Sequence, residues 1–281
     1  MRIEAPGKVV LLGEYAVLDG APALVAAVDR GVSCEVLPAE TLSWRTPGDD
    51  RFVSAALVGA PPATYVFADW NPVDADDKPG LGGSAAATVA ATAAASRWRG
   101  EALSAAELFA RAVTVHRAVQ GSGSGIDVAA SAFGGVLRFQ GGSVTPVAPV
   151  TPAVVYTGRS ASTGPRVQRY LALPDRRTFV DRSTELVALF EERPVEATRE
   201  AASLLRSMSD RAGIAYWTDA IDALARLAER HGGAAKPSGA GGGDVVVGFF
   251  EDPAEQSAFL QDAAGLGLLP IAVQVASGAL A

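Results

Sequence analysis

The chain has 281 residues, 49% of them hydrophobic, and a formal net charge of −7. That is enough apolar material for a sizeable core and the wrong sign for a nucleic-acid surface. A single cysteine, Cys34, excludes an internal disulfide, and with only His116 and His231 beside it a structural zinc site is not expected.

In chain order, apolar runs at Leu24 to Val28 and Val32 to Val36 read as strands. The most apolar long stretch, Ser84 to Ser96, is too short and too rich in Ala and Thr to span a bilayer, and Met1 to Pro6 lacks the pattern of a secretory signal. A cytoplasmic location is expected, with no membrane and no nucleic-acid partner. Ser104 with Glu107 three residues on forms a capping box that opens a helix to about Val119. Strands follow at Val136 to Phe139 and around Val144 to Ala148. Three prolines between Thr145 and Pro152 mark the expected boundary between two units, 1–150 and 151–281. Beyond it come a strand at Ala153 to Thr157 and arginine-rich helices from about Phe179 to Arg230. A strand at Asp244 to Phe250, a helix opened by Asp252-Pro253-Ala254-Glu255 and a last strand at Leu269 to Val275 complete the chain. Strands and helices mix without a regular βαβ alternation, so two α+β units are expected rather than one doubly wound sheet.

Of the 24 basic side chains only three are lysines, Lys8, Lys78 and Lys236, and each lies in or beside a glycine-bearing motif. Lys78-Pro79-Gly80-Leu81-Gly82-Gly83-Ser84-Ala85 runs directly into an alanine-rich helix. Unpaired N–H groups at a helix N-terminus, reached through glycines without Cβ interference, suit a phosphate, and Ser84 is placed either to cap the helix or to reach a phosphate oxygen or Mg²⁺. The pattern is not a dinucleotide fingerprint, because Asp74 to Pro79 is not a strand sequence, and this weighs against a nicotinamide-dependent oxidoreductase. Pro6-Gly7-Lys8 leads into an apolar strand that ends in Gly13-Glu14, which sets a cation at its start and a carboxylate at its end. Lys236-Pro237-Ser238 precedes the glycine cluster Gly239 to Gly243 and a buried strand, an arrangement that favours close backbone contact with a ligand.

In order and spacing, Pro6-Gly7-Lys8-Val9, Pro79-Gly80-Leu81-Gly82-Gly83-Ser84-Ala85-Ala86 and Ser238-Gly239-Ala240-Gly241-Gly242-Gly243 resemble the three motifs of the GHMP kinase superfamily. The resemblance spans the chain end to end. It implies an N-terminal unit of ribosomal-protein-S5 type, a ferredoxin-like C-terminal unit, and ATP with a small acceptor held between them. It also implies that the segment from Lys78 to Ala85 wraps the ATP phosphates, that Ser84 helps hold Mg²⁺, and that Ser238, Gly239, Ala240, Gly241 and Gly242 contact phosphate and acceptor. Gly83 stands where this family usually carries the first of two serines, so one phosphate hydroxyl is missing.

Within the family, His116 with Ser124-Gly125-Ile126-Asp127 is similar to the phosphomevalonate kinase pattern, and Asp127 matches the family's active-site aspartate. On this resemblance Lys8 and Asp127 are the catalytic pair. His116, Ser124 and Gly125 fall to the acceptor, as do Arg159, Ser160, Ser162 and Thr163, where hydroxyls, a helix start and a guanidinium make a second anion site. The implied reaction is ATP- and Mg²⁺-dependent phosphorylation of mevalonate 5-phosphate to mevalonate 5-diphosphate. The alternatives are another acceptor such as mevalonate, or a catalytically silent nucleotide-binding regulator on the same scaffold.

Overall fold

Residues 1–74, 78–121 and 123–281 are described by a computed structural model. The segment Asp74 to Pro79, expected not to be a strand, falls partly outside these residues, as does Ser122 beside the Ser124-Gly125 stretch. The first half builds a six-stranded sheet. Strand β1 (Arg2–Leu12) lies antiparallel to β2 (Ala23–Leu37), whose other edge carries β4 (Thr64–Trp70) and β5 (Val136–Gln140). The outer strands are β3 (Ser43–Arg45), parallel to β4, and β6 (Ser143–Pro146), antiparallel to β5. The two strands expected at Leu24 to Val28 and Val32 to Val36 are thus one. Asp29-Arg30-Gly31 does not turn the chain, because β1 follows it through with a register shift at Pro6/Gly7. There the backbones close until a Cβ on Gly7 would stand 2.1 Å from the Arg30 carbonyl. Lys8 is therefore in mid-strand, just past this irregularity, and not at the strand's start.

Four helices complete this half: α1 (Arg51–Ala56), α2 (Gly83–Trp98), α3 (Ala105–Gln120) and α4 (Ile126–Phe133). From Ala85 to Ser96 every residue of α2 but Ala87 is buried, in a core shared with Ile3, Val32, Val36, Tyr65 and Leu108. Small side chains all round let this helix approach the sheet and its neighbouring helices closely. The capping box at Ser104 and Glu107 is present as expected.

The second half has a four-stranded antiparallel sheet in the order β10-β7-β9-β8, formed by β7 (Ala153–Tyr156), β8 (Ala234–Pro237), β9 (Val245–Phe249) and β10 (Leu269–Pro270). Its helices are α5 (Thr163–Leu171), α6 (Arg177–Phe190), α7 (Pro194–Ala212), α8 (Asp219–Arg230) and α9 (Pro253–Gly265). Alternation along β7 and β9 divides the sheet's contacts. Val154, Val245 and Val247 pack with Leu186, Val187 and Ala201, whereas Val155 and Val246 pack with Leu224, Leu227 and Phe259. The strand expected over Leu269 to Val275 ends at Pro270. The chain then returns to the first half, where Val275 and Ser277 bridge to Val28 and Gly134 and Ala279 joins the first core. Among the described residues no helix is long and apolar enough to cross a membrane.

His231, at the C-terminal end of α8, contacts Glu255 at 2.8 Å and Asp262 at 3.0 Å on α9, and these carboxylates raise its pKa above the ordinary histidine value. A raised folded-state pKa gives stability that is full below the unfolded value and is lost as pH rises through the folded one. The expected result is a small loss of stability, under about 1 kcal/mol for so exposed a cluster, between slightly acidic and mildly alkaline pH. Urea midpoints of the wild type and of His231→Gln over that range check it, since the variant should lose this part of the pH dependence.

Candidate active site

The helix α2 opens on Gly82, in the left-handed conformation at φ 83°, with no side-chain cap. Ser84 is therefore not the cap. Its Oγ lies 3.3 Å from His116 Nε2, and among the described residues the N–H groups of Gly83, Ser84 and Ala85 have no acceptor. This leaves a set of free donors at a helix N-terminus. A Cβ at Gly83 would meet nothing within 4 Å, so the missing serine leaves open space there. Gly83→Ser is expected to fold at least as stably as the wild type, because glycine in a first turn costs roughly 0.5–1 kcal/mol relative to a residue with a Cβ, and thermal melts measure this.

Lys8 joins this loop to the rest of the site. Its backbone N–H donates to Leu81 O at 2.7 Å, its ammonium donates to Gly80 O at 3.4 Å, and its stem lies where a Cβ on Gly82 would stand 2.8 Å from Lys8 Cγ. The same Nζ is 3.6 Å from Asp127 Oδ2 and 4.0 Å from the Cβ position of Gly239. Asp127 is in the first turn of α4, whose cap is Gly125 at φ 92°, so the carboxylate is not spent on capping and benefits from the helix dipole. Residues from β1, the α2 loop, α4 and the β8–β9 loop thus meet at one ammonium group.

Beside it is a cavity of about 410 Å³. Of the expected site residues it is lined by Lys8, His116, Ser124, Gly125, Asp127, Thr163, Gly239 and Ala240. The α2 loop borders it through Lys8 and His116, and the remaining expected residues do not line it. Ser238 is buried and its hydroxyl accepts from Val10 N at 2.8 Å, while Gly241 and Gly242 lie directly against the Tyr216 ring and the Arg166 guanidinium. Those two glycines are required by packing within the protein. Arg159 is exposed and Ser160 donates to Lys78 O at 2.7 Å. Ser162 sits at the α5 cap without a side-chain capping bond. Lys78 itself reaches toward Gly48, 3.0 Å from its Cβ position. Lys236, grouped with the phosphate lysines by its glycine neighbours, is fully buried in an ion pair with Glu14.

Several wall residues carry no signal in the sequence. Phe52 of α1 stacks on His116, with centroids 5.0 Å apart, and burial lowers the pKa of this imidazole while the nearby Asp127 opposes the shift. Arg51, Arg117, Glu14 and Tyr15 also line the cavity. Both acids are paired, Glu14 with Lys236 and Asp127 with Lys8, whereas Arg117 donates to the Ser124 carbonyl at 2.7 Å. Of the cavity's three basic lining side chains, Lys8 is paired with Asp127 and Arg51 with Asp49, so among the described residues Arg117 is the one without a carboxylate partner. Asp244, in left-handed backbone at φ 55°, accepts from Ala161 N and presses on Gly80, which ties the 159–161 segment to the α2 loop. Burial raises its pKa.

Family models for the GHMP kinases N terminal domain and the GHMP kinases C terminal match residues 74–135 and 186–264. The chain is 28% identical to a phosphomevalonate kinase of Streptomyces sp. (strain CL190), over 90% of each chain. It is 30% identical to a mevalonate kinase of Pyrococcus horikoshii, over 86% of each. Among solved structures it resembles Streptococcus pneumoniae phosphomevalonate kinase in complex with phosphomevalonate and AMPPNP, with a TM-score of 0.84 at 19% identity, covering 98% of this chain and all of that one.

Proposed function

The chain belongs to the GHMP kinases, and from that premise we propose that it transfers the γ-phosphoryl group of ATP to mevalonate 5-phosphate, giving mevalonate 5-diphosphate and ADP. The observation that carries this reading is the cavity beside the Lys8–Asp127 pair. Lys8, Arg51 and Arg117 line it with the first turns of α4 and α5, and its charged groups pair off as Lys8 with Asp127, Glu14 with Lys236 and Arg51 with Asp49, which leaves Arg117 and the two helix starts to meet an anion. That environment suits an acceptor with two anionic groups, a carboxylate and a phosphate. The division into units 1–150 and 151–281 belongs to the same reading, with nucleotide and acceptor meeting where the two halves touch.

An acceptor phosphate oxygen forms the new bond to the γ-phosphorus as the bond to the ADP oxygen breaks. With a second pKa near 6 this acceptor is already largely ionised at neutral pH, so little proton remains for a base to remove. The work left to the protein is positioning and neutralisation. Lys8 lies between the α2 loop and the cavity and screens the repulsion of the two phosphates, while Asp127 orients Lys8. The donor set suits magnesium brought in by the nucleotide. Among the described residues no three His, Cys, Asp or Glu side chains form a cage, and Mg²⁺ commonly takes one or two protein ligands and completes its shell with phosphates and water. Ser84, its hydroxyl free of capping duty, is the residue that would hold it; when bound, the ion would neutralise phosphate oxygens.

Coupled assays with ATP and Mg²⁺ test the acceptor. Turnover of mevalonate 5-phosphate is expected, and turnover of mevalonate in its place would overturn the reading. Asp127→Asn is expected to lower kcat roughly ten- to a hundredfold, by an equal factor at every pH from about 6 to 9, because it misorients a cation. A deficit that changes steeply with pH would instead mark Asp127 as a base.

A further inference from the structure

Two tyrosines far apart in the chain meet at the glycine loop between β8 and β9. Tyr15 Oη donates to Ala240 O at 2.8 Å and Tyr216 Oη donates to Gly239 O at 3.3 Å, so consecutive carbonyls are each held by a phenol. The rings pack edge to face with centroids 5.9 Å apart, and the Tyr216 carbonyl accepts from Gly242 N at 2.7 Å. Tyr15 also sits at the centre of a tight turn at φ 63° and ψ −50°, where Ala16 N–H donates to Glu14 O at 2.7 Å, a strained conformation for a residue with a Cβ. A planar trans peptide points its N–H away from its C=O. Pinning the Gly239 and Ala240 carbonyls therefore fixes the directions of the Ala240 and Gly241 N–H groups. Neither N–H has an acceptor among the described residues, and Gly239 and Ala240 line the cavity beside Lys8.

We propose that Tyr15 and Tyr216 are positioning residues for phosphoryl transfer: they hold two consecutive carbonyls of the loop on buried phenols so that the amides of Ala240, at the cavity, and of Gly241 after it serve as anion donors. The proposal rests on the kinase reading above and adds to it the residues that aim the loop. Burial pushes both phenols far above their ordinary pKa, so they remain donors across the working pH range.

Tyr15→Phe and Tyr216→Phe keep the rings and remove one bond each. Each is expected to lower kcat/KM for the acceptor about five- to tenfold, the scale of one hydrogen bond, with KM for ATP within about twofold of wild type. In the wild type, acceptor binding should shift the ¹⁵N amide resonances of Ala240 and Gly241, and in the double variant these shifts should shrink. A purely structural role would lower the melting temperature and leave the kinetic constants and amide shifts alone. That result, or a parallel rise in both KM values, overturns the proposal. If the wild type turns over mevalonate and not its 5-phosphate, the acceptor assignment fails, and the variants measured on mevalonate still decide the role of the tyrosines.

Discussion

Lys8→Met is expected to lower kcat on the order of a hundred- to a thousandfold while leaving the fold intact, the range seen when one preorganised charge-stabilising group is removed from a transition state. The argument is geometric. The Lys8 ammonium touches the Gly80 carbonyl of the α2 loop and the Asp127 carboxylate, and lies against Gly239 of the third glycine loop. No other lysine does this, because Lys236 is sequestered with Glu14 and Lys78 reaches toward Gly48. The loss should appear mainly in kcat, since two phosphate groups approach each other most closely in the transition state. Methionine matches the stem, which is buried against Gly82, so circular dichroism and thermal melts should change little. Lys8→Met should also cost more than Asp127→Asn, because the aspartate acts through the lysine. A Lys8→Met enzyme within tenfold of wild-type kcat would remove the basis for the catalytic assignment.

A second large effect is expected at the Glu14–Lys236 pair. The side chains are 1% and 0% exposed, Lys236 also donates to its neighbour Pro237 O at 3.1 Å, and Glu14 Oε2 is buried without a hydrogen-bond partner among the described residues. Burial drives the Lys236 pKa down and the nearby carboxylate opposes it. Two charges out of water repay their desolvation only together. Lys236→Met should therefore cost about 3–5 kcal/mol, because it strands the Glu14 carboxylate. The double variant Glu14→Gln with Lys236→Met should recover much of that loss, since it removes both charges. Urea unfolding of the single and double variants measures both. If the single variant loses less than about 1 kcal/mol, the pair is not the buried clasp its exposure indicates. Glu14 follows β1 and Lys236 lies on β8, so the same contact ties the two halves of the chain together beside the cavity.

These two lysines separate what local chemistry reveals from what it hides. Both follow or precede proline and glycine in the sequence, and by that pattern both look like phosphate ligands. In the fold the Lys8 ammonium stands between the α2 loop and the cavity, whereas Lys236 faces a carboxylate 222 residues away in the chain. A similar division runs through the glycines. Gly80 and Gly82 shape the loop ahead of α2, but Gly241 and Gly242 are needed because Tyr216 and Arg166 lie where their side chains would be. Nothing near residue 241 in the sequence refers to residue 166 or 216.

By itself the sequence determined the family motifs and their order, the capped helix α3, the glycine-led start of α2 and most strands of both sheets. All of these depend on interactions within a few residues: capping, alternation, and the freedom of glycine at positive φ. Only the tertiary structure decided that Leu24 to Val36 is one strand, that the chain end returns to the first half, and that Phe52, Arg117, Tyr15 and Tyr216 stand at or against the cavity. Those outcomes arise from contacts between segments tens to hundreds of residues apart, whose partners are selected by packing and desolvation and leave no periodic trace in the sequence.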